Sequence, residues 1–201
     1  MNFIKKIPIY VLNFLFPSKI FGKENLPNGS AIIVCNHFTA FDFILALKSC
    51  HEDVYILGKK ELFNNKLFGK ILKSYKVIPV DRNNTDINTL LTVLRLLKHG
   101  KKVLIFPEGT RNKTGSTELQ PIKGGASILA IKSKSKIVPM MTQNKLRLFR
   151  KTKVMIGKPF ELDEFYNTKL DEQSLEKINA ILTTKMKEQQ LLLTDIVKKD
   201  R

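Results

Sequence analysis

Cysteine is scarce in this chain of 201 residues. The two present, Cys35 and Cys50, are too few for a disulfide framework and are not spaced as a CxxC metal pair. A reducing compartment fits, with no redox or zinc role. Long apolar runs are also missing. The N-terminal stretch from Ile7 to Phe16 holds ten residues, Pro8 and Asn13 among them, against the roughly twenty that span a bilayer. Phe16-Pro17-Ser18-Lys19 is a poor signal-peptide cleavage site. There is no Gly-x-Ser-x-Gly elbow to supply a serine nucleophile, and no repeat or low-complexity linker divides the chain.

Acidic residues are few as well. Against 18 Asp and Glu stand 35 Lys and Arg, a formal charge of +17. The excess is +7 in residues 1–100 and +10 in residues 101–201, so it is not held in a tail. This balance favours anionic partners: nucleic acid, anionic lipid headgroups or an acidic carrier protein. A non-enzymatic basic module binding nucleic acid would suit the charge. No ribonucleoprotein, zinc-finger or basic-heptad signature accompanies it.

At 43% hydrophobic residues the chain can fill one sizeable core, and its length suits one domain. Residues 1–20 read as an N-terminal amphipathic segment, with Phe3, Ile4, Ile7, Val11 and Phe14 at roughly helical spacing beside Lys5 and Lys6. Such a segment either lies in the membrane interface or packs on the protein's own core. Residues 21–201 form the domain proper. Candidate strands are Ala31–Cys35, Val54–Leu57, Val77–Val80, Val103–Phe106, Ile137–Met140 and Val154–Ile156. Helices are expected over Thr85–His99, Phe63–Tyr75, Gly125–Lys134 and from Ser174 to about Leu192. The alternation argues an α/β fold: a mixed, mostly parallel sheet flanked by helices.

The polar residues between these elements carry the chemistry. Asn36-His37 follows the first strand, Asp81-Arg82 the third, and Pro107-Glu108-Gly109-Thr110-Arg111 the fourth. In a parallel sheet the carboxyl ends of the strands share one edge, where ligands bind, so these clusters should converge. His37 and Asp42 are five apart, about 140° around an ideal helix. They can meet only if His37 lies in the loop and Asp42 in the first turn of a following helix. Asp42 would then hold one ring nitrogen and leave the other as a base for a hydroxyl. The plainer alternative is a loop histidine and a helix-start acid with structural roles. Cys35 is a rival nucleophile. Arg82, Arg111 and Lys59 suit a phosphate, with Gly109 letting backbone N–H groups approach it. Otherwise Arg82 pairs with Asp81 or Glu108 as a structural ion pair.

Taken together, four blocks resemble the glycerolipid acyltransferases of the lysophosphatidate acyltransferase type. They are N-H-F-T-A-F-D (36–42), G-K-K-E-L-F (58–63) with I-P-V-D-R (78–82), F-P-E-G-T-R (106–111) and I-V-P-M (137–140). F-G-K-E-N-L-P (21–27) and P-I-K-G-G-A (121–126) are similar to further stretches of that family, so the likeness runs from about Phe21 to Gly157. The resemblance implies transfer of an acyl group from a thioester of acyl carrier protein or coenzyme A, without metal or cofactor. The acceptor would be the free hydroxyl of a 1-acyl-glycerol-3-phosphate, giving phosphatidic acid at the cytoplasmic face of the membrane. Glycerol 3-phosphate or another lysophospholipid is the alternative acceptor.

By position, His37 would be the general base and Asp42 its orienting acid. Arg82 and Glu108, Gly109, Thr110 and Arg111 would hold the glycerol phosphate, with Lys59 in support and Ile137–Met140 toward the acyl end. The chain departs from the family at Lys76 and within Lys132–Lys136, where glycines are common. Both departures are expected to alter loop conformation.

Overall fold

In a computed structural model, the structure describes residues 9–50, 52–81, 87–114 and 116–200. The expected Arg82, and the helix start at Thr85 and Asp86, lie outside the described residues. Seven strands form one sheet: β1 (Ser18–Phe21), β2 (Ala31–Cys35), β3 (Val54–Lys59), β4 (Val77–Val80), β5 (Lys102–Ile105), β6 (Ile137–Thr142) and β7 (Thr152–Ile156). Their order is β1-β7-β6-β2-β5-β3-β4. Every pairing is parallel except β6 with β7. The fold is therefore the α/β arrangement expected, with a mixed, mostly parallel sheet.

Strand β2 is central and buried throughout, as a run of β-branched residues with both faces covered should be. Its alternating side chains feed two cores. Ala31, Ile33 and Cys35 pack among residues of α1 (Ile9–Leu15), α2 (Phe43–Ser49) and α3 (Lys66–Ser74). Ile32 and Val34 pack with α4 (Ile87–Lys98), α5 (Gly125–Ser133) and α6 (Glu172–Lys199) on the opposite face.

The expected strands are all present, several a residue or two longer. Strand β1 was not anticipated: Ser-Lys-Ile-Phe is short, and it pairs only with β7 at the sheet margin. The expected boundary between residues 20 and 21 falls inside it. Helix α6 runs to Lys199, well beyond Leu192. In α1, Leu12 is buried, as is Phe16 just beyond it, whereas Tyr10 and Phe14 are exposed. The Lys48 ammonium on α2 donates to the Phe16 carbonyl at 2.6 Å and ties the end of α1 to the domain. Residues 1–8, with Phe3, Ile4, Ile7, Lys5 and Lys6, lie outside the described residues. No described helix is long and apolar enough to cross a membrane.

Candidate active site

Register brings the polar clusters to one edge. Val34 lies opposite Ile105, and Leu104 opposite Ile56, so His37 and Glu108 follow their strands at nearly the same height as Lys59, the last residue of β3. Lys59 is two strands from His37, roughly 10 Å across the sheet. It lies opposite Val80, and Asp81 comes next.

The loop after β2 is built around one carboxylate. Asp42, 1% exposed, is the last residue before α2 rather than part of its first turn. Its side chain does not cap that helix but reaches back into the loop. Oδ2 accepts the backbone N–H of Phe38 at 2.6 Å and of Thr39 at 2.7 Å, and Oδ1 accepts the Thr39 hydroxyl at 2.7 Å. Asp42 Oδ2 also lies 3.1 Å from His37 Nδ1. A carboxylate with this role is an acceptor, so Nδ1 carries the proton and Nε2 is left with its lone pair.

Other loops fix the backbone of His37. Its N–H donates to Glu108 Oε1 at 2.8 Å, and its carbonyl accepts the Asn112 N–H at 2.7 Å. The imidazole stacks on Phe106, with centroids 3.9 Å apart and planes at 16°. Asn36 joins the end of β2 to β6: Oδ1 accepts the Thr142 N–H at 2.8 Å, and Nδ2 donates to the Thr142 carbonyl at 3.1 Å. Thus the ring is held at its edge, its face and both sides of its backbone. Its side chain retains 11% exposure.

Beside it opens a cleft of 760 Å³, whose lining begins with the four residues after His37, Phe38 to Phe41. Among the described residues four cations line it, Arg111, Lys113, Lys145 and Arg147, and no carboxylate does. Lys145 and Arg147 come from the connection between β6 and β7, which sequence reading passed over. Its signal was there: residues 143–153 contain Lys145, Arg147, Arg150, Lys151 and Lys153 and no acid.

The remaining expected residues are placed differently from one another. Arg111 and Thr110 are exposed, and Arg111 lines the cleft. Gly109 has φ of 71°; a Cβ there would lie 2.7 Å from Cδ of Lys123, whose side chain crosses it. Glu108 is buried, and both its oxygens accept backbone N–H groups, from His37 and, at 3.3 Å, from Gln120. Burial pushes its carboxyl above the usual value, with the nearby Asp42 charge adding to the rise and the two backbone donors opposing it. Lys59 is half-exposed and pairs with Glu61 at 2.9 Å. Cys35 is fully buried, and burial holds its thiol well above its ordinary range, so it is no nucleophile.

The model of one family, described as Acyltransferase, matches residues 18–143, the stretch that carries the loops after β2, β3 and β5 but not the β6–β7 connection. The chain belongs to the acyltransferase family. Within this acyltransferase domain the His37–Asp42 pair and the Phe106–Arg111 turn face one another across β2 and β5.

A 1-acyl-sn-glycerol-3-phosphate acyltransferase of Bacillus subtilis is 36% identical over 177 residues, covering 85% of this chain and 86% of its own length. One from Cocos nucifera is 32% identical over 167 residues, and this chain spans 53% of it. A crystal structure of a 1-acyl-sn-glycerophosphate acyltransferase from Thermotoga maritima has a TM-score of 0.63 at 21% identity, over 85% of this chain and 71% of that one. At that identity the likeness is one of fold.

Proposed function

We propose that the protein transfers a fatty acyl group from an acyl thioester, of acyl carrier protein or coenzyme A, to the free hydroxyl of 1-acyl-glycerol-3-phosphate. The product is phosphatidic acid, for phospholipid synthesis. One observation carries the reading: a carboxylate-steered imidazole immediately precedes, in the chain, the residues Phe38–Phe41 of a cleft whose described lining holds four cations and no acid. The names of the relatives agree with it.

In this mechanism the acceptor phosphate docks on Arg111 and Arg147, with Lys113 and Lys145 adding to the field. Lys59, at the end of β3, extends the cationic edge, and the family resemblance adds Arg82 as a further phosphate ligand. The phosphate aligns the free hydroxyl with Nε2 of His37. Nε2 takes the hydroxyl proton as oxygen attacks the thioester carbonyl. The tetrahedral intermediate then collapses, the C–S bond breaks, and the sulfur leaves with the proton returned by the imidazolium. Base catalysis of this kind contributes about 10²–10⁴-fold; positioning supplies the remainder. Asp42 keeps the tautomer and stabilises the imidazolium. Glu108 acts through the backbone of His37 rather than on the phosphate. The enzyme works peripherally on the cytoplasmic face of the membrane, where its N-terminal segment lies in the interface.

The test is acyl transfer by the purified enzyme with 1-acyl-glycerol-3-phosphate, glycerol 3-phosphate and 1-acyl-glycerophosphocholine offered side by side, each with both donors. The first acceptor should be used with the highest kcat/KM, and Arg147→Ala should raise its KM about 10-fold or more while changing kcat little. Preference for glycerol 3-phosphate or the choline lipid, or an unchanged KM in the variant, contradicts the assignment.

A further inference from the structure

Next to the cationic cleft lies an apolar surface that the chemistry does not use. Phe14 and Tyr10 on α1 are 72% and 70% exposed, and Leu148, Phe149 and Phe41 are 55%, 62% and 52% exposed. These residues are far apart in the chain but joined in space. The Phe14 and Phe149 rings meet edge to face at 5.6 Å, and the Phe149 N–H donates to the Leu15 carbonyl at 2.8 Å. Phe41 stacks on Phe16 at 5.8 Å.

Leu148 and Phe149 form the tip of a tight turn, closed by the Arg150 N–H donating to the Arg147 carbonyl. Buried Leu146 anchors its near side. Phe149 has φ of 57°, an uncommon conformation for a bulky residue, and in it the aromatic ring projects outward beside Phe14. Exposed cations flank the tip: Lys145, Arg147, Arg150 and Lys151. Phe41 belongs to both the apolar surface and the cleft lining, and Lys145 and Arg147 line the cleft while flanking the turn.

We infer that the β6–β7 turn, with Leu148 and Phe149 at its tip, is a second membrane-docking element that inserts beside α1 into a bilayer carrying anionic headgroups. Apolar tips enter the acyl boundary while the surrounding cations meet phosphates, the distribution that binds a helix or loop to an anionic interface. A protein partner would need an acidic surface around a small aromatic tip. The bilayer supplies both chemistries at once, and at the place where a lipid acceptor would enter. That last point rests on the acceptor proposed above; docking itself does not. Because Arg147 lies at the junction, the cleft mouth would sit at headgroup depth.

The experiment is co-sedimentation of the full chain with phosphatidylglycerol vesicles and with phosphatidylcholine vesicles, without acyl donor, so that it reads docking whether or not the acceptor assignment holds. Leu148→Ser combined with Phe149→Asn tests the turn, Asn being tolerant of positive φ. Phe14→Gln is a second variant, placed on α1. Leu191→Ser with Leu192→Ser, a similarly exposed pair on α6, which packs on the opposite face of the sheet from α1, is the control.

The wild type should bind the anionic vesicles more tightly than the neutral ones. The turn variant and Phe14→Gln should each bind about 10-fold or more weakly, with the control unchanged. Activity of the turn variant on a short-chain, water-soluble acceptor should match wild type. Wild-type-like vesicle binding by the turn variant, equal loss in the control, or failure of the wild type to bind anionic vesicles would overturn the inference. So would a wild-type dimer that the turn variant dissolves while vesicle binding persists.

Discussion

Glu108 and His37 are 71 positions apart, yet one hydrogen bond between them sets how firmly the base is held. Truncating Glu108 to Ala removes the acceptor of the buried His37 N–H and of the part-buried Gln120 N–H. The expected loss is roughly 2–4 kcal/mol of stability, with a fall in kcat, read by thermal unfolding and steady-state rates. The pH dependence follows from the raised carboxyl. A folded-state value above the ordinary 4.5 means that the native state binds the proton more tightly than the unfolded chain. Its contribution is therefore greatest below that ordinary value and falls as pH rises through the folded one. Against Glu108→Gln, which cannot titrate, the wild type should lose relative stability as pH rises above the ordinary carboxyl value; a gap in Tm that widens in favour of wild type would contradict this. At this scale, His37 and Asp42 were legible because a histidine, an acid and a preceding strand are local features. The parts played by Thr39, Asn36, Phe106 and Asn112 were not, since each depends on which distant backbone atom or ring meets it.

Two lysines govern the turns that deliver strands to the sheet. Lys76 before β4 and Lys134 after α5 have φ of 59° and 50°, left-handed conformations that glycine reaches without a Cβ penalty. By the family resemblance Lys76 stands where a glycine is usual and Lys134 lies within the 132–136 stretch where one is common, and at both the backbone takes a conformation that glycine favours. Lys76 has compensation, an ion pair with Asp53 and a position 5.3 Å over the Tyr55 ring. Lys134, the residue capping α5, has its ammonium 5.6 Å over the Tyr166 ring. Lys134→Gly should therefore stabilise the protein by up to about 1 kcal/mol, observed as a higher Tm. A lower Tm would show that the ring contact outweighs the backbone strain. Helices and strands of the interior were readable from apolar periodicity. β1 was not, because a four-residue strand with an exposed lysine carries almost no pattern. The end of α6 was readable further than expected, because Leu193, Ile196 and Val197 continue its apolar face at helical spacing past Leu192.

For the molecule as a whole, the order of strands does what no local motif can. It places the described loops after β2, β3 and β5 on one edge, so that the base and cations of the β5 loop as far as Lys113, 76 positions away, share a surface. A parallel sheet could be inferred from alternating elements, and the convergence followed. The contribution of the β6–β7 connection could not, because it depends on the single antiparallel pairing, which folds that basic stretch back beside Phe38–Phe41. The excess charge, unassigned by composition, gains a location at the cleft and the turn next to it.

The whole account depends on the imidazole of His37 as the group that takes the acceptor's proton. The most direct test is single-turnover acyl transfer by His37→Ala, with acceptor binding and thermal unfolding measured on the same sample. A rate reduced by about 10³-fold or more, with acceptor affinity and Tm close to wild type, is the expected result. Transfer at near wild-type rate by a folded, acceptor-binding His37→Ala protein would contradict it.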